Sequence, residues 1–534
     1  MAISVTTVTD DDRLASLTLA YQLIHDLQAG VPGASEELAL LAERARRRGW
    51  GEVARSCLFG EAVRAWIVGD GRSPEAVGKL IAASEESADE VMLALGLAMR
   101  SDQGFSGDDL TTSASRDADL AHAIVLLEQS SGHPLERISA HTACAIALGN
   151  RWLFELSHEQ YEKALAVGAA EPPGSLDFLL APILFNLAEE EVSWSGVLRQ
   201  LDDAPGVAER FKGWETTLAT AGTYPMADSW RLELDALGLL LGAIAGHDTA
   251  EEARDVLARV GTPDEGEPRA VGLCRLAIAL SDADAGRPGA AGAAEAAVSC
   301  LSPEIHPFPY DLALFLAATI EARGGSGAGL RYARRAVEEQ WARRQASLAS
   351  MRAHIEAERH ASERELLTRH ARLDDLTGIG NRRALEEYVG RLAERSSATA
   401  ALILFDVDAF KAINDNFGHL AGDAVLVRIG RVLERGVRPL DLAVRLGGDE
   451  FVVVLAETDL PAAATRAEAL LATLDAQPMA DLGEGLVLRV SAGVAAGPPA
   501  RMIEVRAAAD AALYCAKGAG GHRVAIGEGP TGRP

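Results

Sequence analysis

The sequence predicts a multidomain protein. Residues 1–328 form an all-α half of stacked helical hairpins, and residues 329–373 a long connector helix able to enter a coiled coil. Residues 374–527 form an α/β palm-like domain with a central mixed sheet, and residues 528–534 a disordered tail. Three observations predict this. From about residue 12 to 340 apolar residues recur three and four apart, as in "RLASLTLAYQLIHDL" and "SADEVMLALGLAMR", without strand-like alternation. Residues 329–373 then run without proline and without glycine after Gly329, densely charged. Beyond them, apolar runs alternate with amphipathic segments around a hairpin, "LAVRLGGDEFVVVLAE".

Composition narrows the function. The 534 residues carry a formal net charge of −27, which disfavours nucleic acid and anionic membrane as partners. Five scattered cysteines without a C-x-x-C fit a reducing compartment better than a disulfide framework or a zinc site. "MAISVTTVTDDDR" lacks the basic and apolar regions of a secretion signal. No stretch is apolar for the roughly 18 residues that a membrane span needs. A cytoplasmic protein is expected.

In the helical half, Gly/Pro-rich breaks such as "GAAEPPGS", "VGTPDEGEP" and "EARGGSGAG" separate the helices. Gly246, Gly286 and Gly324 each follow a helix end and precede an Ala-rich helix, a period of about 40 residues. This resembles helical hairpins of the tetratricopeptide kind, although the usual period is about 34 and the Trp/Leu-Gly/Tyr signature is not clear. An irregular all-α domain is the alternative. No polar cluster stands at metal or triad spacing, so a surface for an unknown protein or small-molecule partner is expected. Histidines in stretches such as "ERISAHTACAIAL" read as helix surface or satisfied core. In the connector, Trp341, Leu348 and Ile355 fall seven apart with Met351 between. Leu366 follows after eleven residues and Leu373 after seven more, a heptad seam with a stutter. The seam predicts a parallel homodimer, the alternative being a solvated connector helix.

In the C-terminal part, "TAALILFDVD" reads as a buried strand ending in Asp406 and Asp408, and Asp449 and Glu450 stand at the hairpin bend. If these strands are neighbours, the carboxylates converge at one edge. Such a cluster needs a positive charge, and Mg²⁺ held by carboxylates and substrate phosphates supplies it. Metal-assisted phosphoryl or nucleotidyl transfer is the chemistry implied. Acids solvating a hairpin tip are the bland alternative.

"DDLTGIGNRRAL" (374–385), "DVDAFKAINDNFGHLAGDAVL" (406–426), "RLGGDEF" and "ADAALYCAKGAGGHRV" (509–524) stand in order. Together they resemble the GGDEF domain of bacterial diguanylate cyclases over residues 372–526. The resemblance implies a cyclase-like palm that condenses two GTP into cyclic di-GMP and two pyrophosphates, with Mg²⁺, or Mn²⁺, as cofactor. It assigns Asp406 and Asp449 as metal ligands with the Val407 carbonyl, and Glu450 as the second acid beside the reacting 3′-hydroxyl. Gly447 and Gly448 make the turn over the phosphates, and Asn414 and Asp423 read the guanine edge. Phe410, Lys411 and Lys517 match phosphate positions, and Arg438 and Asp441 match an R-x-x-D product-inhibition site, against the bland reading of a helix-end ion pair. It also implies a homodimer through the cyclase domains and the connector. Gly521 and His522 depart from it where Arg and Asn are usual, and a lost cation there weakens GTP binding by about 1–3 kcal/mol. Ala409 replaces a bulkier residue. The alternative function is a catalytically weak or inactive cyclic di-GMP receptor or scaffold.

Overall fold

The computed structural model describes residues 13–69, 72–102, 110–221, 224, 228–260, 268–301, 307–322, 327–395, 399–479, 481–483 and 485–530. Nearly all of the stretch read for a secretion signal, the repeat residue Gly324 and positions 531–534 of the expected tail lie outside them. The chain divides into two compact units, 1–359 and 360–534.

The first unit is helical throughout its described residues, with fifteen helices between Arg13 and Ala322. Local chemistry sets their limits. The helix Ala34–Arg48 has Glu36 and Glu37 in its first turn and Arg46, Arg47 and Arg48 in its last, and closes on Gly49 at φ 68°. Two helices, Asp228–Ile244 and Pro268–Asp284, end alike. Gly246 and Gly286 both turn at positive φ. The next amides, of His247 and Arg287, donate back to the carbonyls of Gly242 at 2.9 Å and Asp282 at 2.8 Å. A short helix follows each, Ala250–Val260 and Ala290–Cys300. This shared helix end is the physical content of the repeat seen in the sequence. His141 is a satisfied core histidine, 3% exposed, its Nδ1 2.9 Å from Gln160 Oε1. All five cysteines are free.

The connector is one helix, Ala328–His370, of 43 residues. Its seam has two fates. Leu348, Met351 and Ile355 are buried in the core of the first unit, with Trp341 packed against it. Beyond the stutter, Leu366 is 45% exposed.

The second unit is built on a five-stranded mixed sheet in the order β2-β3-β1-β4-β5. The strands are β1 (Ala400–Val407), β2 (Leu442–Gly447), β3 (Glu450–Leu455), β4 (Val490–Gly497) and β5 (Val524–Ile526). The β2–β3 hairpin forms one edge of the sheet, and β1 takes the centre. The reason is composition: all eight residues of β1 are buried, so both its faces need cover, whereas β2 is partly exposed. Ile403 and Phe405 face Leu426, Ile429, Leu433, Leu470 and Leu474 from helices His419–Arg435 and Leu460–Asp475. Leu402 and Leu404 face Leu385, Met502, Val505 and Leu513 on the other side. β1 runs antiparallel to both neighbours, and β5 pairs in parallel with β4. Among the described residues no helix is long and apolar enough to cross a membrane.

Candidate active site

The apolar runs that bury β1 and β3 also bring their acids together. The antiparallel register sets Asp406 opposite Glu450 on one side and opposite Ser491 on the other. The β2–β3 bend is made by Gly447 at φ 139° and Gly448 at φ 58°, values that a side chain rarely adopts. Nothing lies within 4 Å of where a Cβ would stand on either glycine, so the space above the tip is open. Asp449 follows, half-buried, and its carbonyl accepts from the Val407 amide at 3.4 Å. Glu450 is exposed.

Asp406 is 7% exposed. Burial pushes its carboxyl above the usual aspartate range, and the nearby charges of Asp449 and Glu450 add to the rise. Lys517 opposes it, with Nζ 2.5 Å from Asp406 Oδ1. Among the described residues, no group of three or more His, Cys, Asp or Glu side chains could hold a metal ion unaided. Two carboxylates and the Val407 carbonyl are nonetheless an all-oxygen donor set. They suit a hard divalent cation whose remaining ligands are water and substrate phosphates. A buried carboxylate of raised pKa, countered here by a single lysine, fits the same occupant.

The sequence reading did not single out four residues that hold this site in shape, Arg445, Asp374, Thr377 and Ser491. Arg445 donates from Nε and one terminal nitrogen to the Gly448 carbonyl at 3.0 and 2.8 Å, and from the other to Asp374 at 3.0 and 3.3 Å. Asp374 in turn accepts from the Thr377 amide and hydroxyl. Burial raises the Asp374 carboxyl, but the bonds from Thr377 and Arg445 outweigh it and hold the group below its ordinary value. Asp408 accepts from the Ser491 hydroxyl at 2.8 Å and the His522 amide at 2.8 Å, which fastens the C-terminal loop to the end of β1. Asp374, Asp408 and Arg445 lie inside the motifs, so a signal existed. Their partners are 71 and 114 positions away, which no local pattern reveals.

The same loop explains Gly521. Its φ is +72°, and a Cβ there would stand 2.9 Å from Asp408 Oδ2. An arginine side chain at this position is therefore strained and crowded by the carboxylate that fixes the loop. Arg523 lies alongside, its Nε donating to the Gly521 carbonyl at 3.2 Å. Ala409, the other departure, adopts the left-handed conformation at φ 54° as it starts the helix Phe410–Phe417.

Asn414 and Asp423 come from consecutive helices, Phe410–Phe417 and His419–Arg435, joined at Gly418. Asn414 Oδ1 approaches to 2.0 Å of where a Cβ on Gly422 would be, so any side chain there would displace the Asn414 amide. Asn414 is half-buried and Asp423 exposed; Phe410 packs on the core and Lys411 is exposed. Arg438 and Asp441 do not join this group. They stand at the other end of β2, about 20 Å of strand from the tip. There Asp441 accepts from the amides of Arg438 at 3.0 Å and Ala456 at 3.1 Å. Both residues line a separate cavity of about 530 Å³ with Thr458, Thr465 and Arg466.

Residues 371–523 match the family described as diguanylate cyclase, GGDEF domain. Diguanylate cyclase DgcP of Pseudomonas aeruginosa is 42% identical over 157 residues, 29% of this chain and 23% of that protein. Cyclic di-GMP phosphodiesterase PdeB of Shewanella oneidensis is 33% identical over 162 residues, 30% of this chain and 19% of that protein. A solved structure of the coiled coil and GGDEF domain of DgcB from Caulobacter crescentus, in complex with c-di-GMP, is 31% identical. It covers 34% of this chain and 98% of its own, with a TM-score of 0.31. The chain spans less than half the length of the first curated relatives it matches. Residues 371–523 of the second unit are a GGDEF domain of the diguanylate cyclase family.

Proposed function

We propose that the chain is a diguanylate cyclase that condenses two GTP into cyclic di-GMP and two pyrophosphates. The observation that carries this reading is the meeting of Asp406, Asp449, Glu450 and Lys517 where β1 ends beside the open glycine tip. Asp406, Asp449 and the Val407 carbonyl would hold Mg²⁺ or Mn²⁺. When bound, that ion neutralises the site and offsets charge on the attacking and leaving oxygens of an in-line displacement. Gly447 and Gly448 leave room for the triphosphate. Lys517, Lys411 and, in place of the missing position-521 arginine, Arg523 supply positive charge to it. Asn414 and Asp423 hydrogen-bond the guanine edge, and Phe410, at the start of the Asn414 helix, belongs to the loop that carries the phosphates. Glu450, exposed beside Asp406, accepts the hydrogen bond of the attacking 3′-hydroxyl. Each domain offers one such site, so catalysis needs two copies facing each other as a homodimer.

Two further parts belong to the same proposal. Arg438 and Asp441 bind the product away from the active site and lower its output. The helical unit senses a protein or small molecule and passes the signal through the connector. The test is incubation of the purified chain with Mg²⁺ and GTP beside Glu450→Gln. Cyclic di-GMP from the wild type alone supports the cyclase. Tight cyclic di-GMP binding with no product from either overturns it in favour of a receptor.

A further inference from the structure

The connector seam has one pattern and two possible partners, a second copy of itself or the helical unit. Continuing the heptad from Trp341 places Leu348 and Ile355 at one seam position and Arg344, Met351 and Glu358 at the other. In a parallel pair each Arg344 would face its own copy, and so would each Glu358. Like charges in a seam disfavour pairing.

Against the helical unit, both side chains find polar partners. Arg344 is 3% exposed, its Nε donating to the Trp152 carbonyl at 2.7 Å and its terminal nitrogen paired with Glu155. Its guanidinium lies 4.3 Å from the Trp341 ring centre and 5.6 Å from that of Phe154. Glu358 lies 3.4 Å from His122 Nδ1. The next residue, Arg359, forks onto Glu128 at 2.7 and 2.8 Å, and upstream Arg334 meets Asp202 at 2.8 Å. Two of these gripping residues, Trp152 at φ 61° and Asp202 at φ 59°, are non-glycine residues in the left-handed region. For tryptophan that is an outlier which its surroundings must impose.

We propose that the helical unit is a clasp for the connector: its Trp152–Glu155 and Glu128 surface holds residues 334–359 in a state exclusive with seam pairing to a second copy. Release is then the regulated step, and the seam beyond the stutter, where Leu366 is exposed, is the part free to pair at rest. The link to output rests on the proposal that two copies must meet for catalysis, but the clasp itself does not.

The test uses the full chain and four variants, with self-association followed by light scattering across protein concentration. Glu155→Lys opposes Arg344 without altering the seam, and Arg344→Leu also removes the like-charge clash between copies. Both are expected to strengthen self-association, E155K by about threefold and R344L by roughly tenfold. The double variant E155K/R344E restores the ion pair with its sign exchanged but not the bond to the Trp152 carbonyl, and is expected to return association part of the way to the wild-type level. Hydrogen exchange along residues 341–359 should quicken in E155K and recover in part in the double variant. If R344L does not fold, E155K, at a position 30% exposed, still answers, and E155Q gives a milder release. Unchanged association and exchange in folded E155K and E155Q overturns the clasp. Absence of cyclic di-GMP from every form, with association shifting as expected, would overturn the cyclase reading and leave the clasp standing.

Discussion

Asp406 carries a conflict between stability and function. Its folded pKa is raised, so the folded chain holds the Asp406 proton more tightly than the unfolded chain does. The sign follows: this group favours the fold at low pH, and its ionised form opposes folding at neutral pH. Asp406→Asn should therefore raise the melting temperature of the metal-free protein at pH 7 while abolishing turnover. Mg²⁺ should raise the melting temperature of the wild type and leave Asp406→Asn unmoved, as thermal unfolding with and without the ion will show. Gly521→Arg tests the other departure. Positive φ and the nearby Asp408 predict a loss of about 1–2 kcal/mol in stability rather than improved GTP binding, measured by denaturant unfolding. Arg523→Ala should raise KM for GTP roughly ten- to hundredfold with little change in stability. The sequence showed that Gly521 was unusual. It could not show that φ and Asp408 make glycine the fitting residue there.

The hairpin is legible as an element because Gly-Gly between two apolar runs has few other readings. Its neighbour is legible too, since strand β1 ends in acids at the matching edge. The edge placement of the hairpin was not, because strand order depends on which strand has two faces to cover. Nor was the brace formed by Arg445 and Asp374, whose members are 71 positions apart. Arg445→Ala should cost about 1–3 kcal/mol in denaturant unfolding and lower kcat more than KM, since the brace holds the tip carrying Asp449 and Glu450. Asp374 is depressed in pKa, so its contribution is full above the ordinary aspartate value and is lost as pH falls through its folded value. Acid unfolding of Arg445→Ala should accordingly begin at higher pH than that of the wild type. At the far end of β2, Asp441 already accepts two backbone amides and so is fixed before any ligand arrives. Arg438→Ala is expected to relieve product inhibition without altering initial rate.

For the whole molecule, the division into a helical half and an α/β half was readable from the change in periodicity alone. The partner of the connector was not, since a heptad stripe is the same whether it meets another copy or its own chain. Only the polar contacts within the seam, buried Arg344 with Glu155 and partly exposed Glu358 beside His122, separate the two. The acidic total of −27 is an average that does not show Lys517 set against Asp406 or Arg445 bracing the tip. The account as a whole stands on the chemistry at Asp406. The most direct measurement is pyrophosphate and cyclic di-GMP released from GTP by the full chain, with and without Mg²⁺, beside Asp406→Asn. The account predicts two pyrophosphates per cyclic di-GMP from the wild type with Mg²⁺, and neither product without the ion or from the variant. No product from the wild type with Mg²⁺, or the same two products from Asp406→Asn, would contradict it.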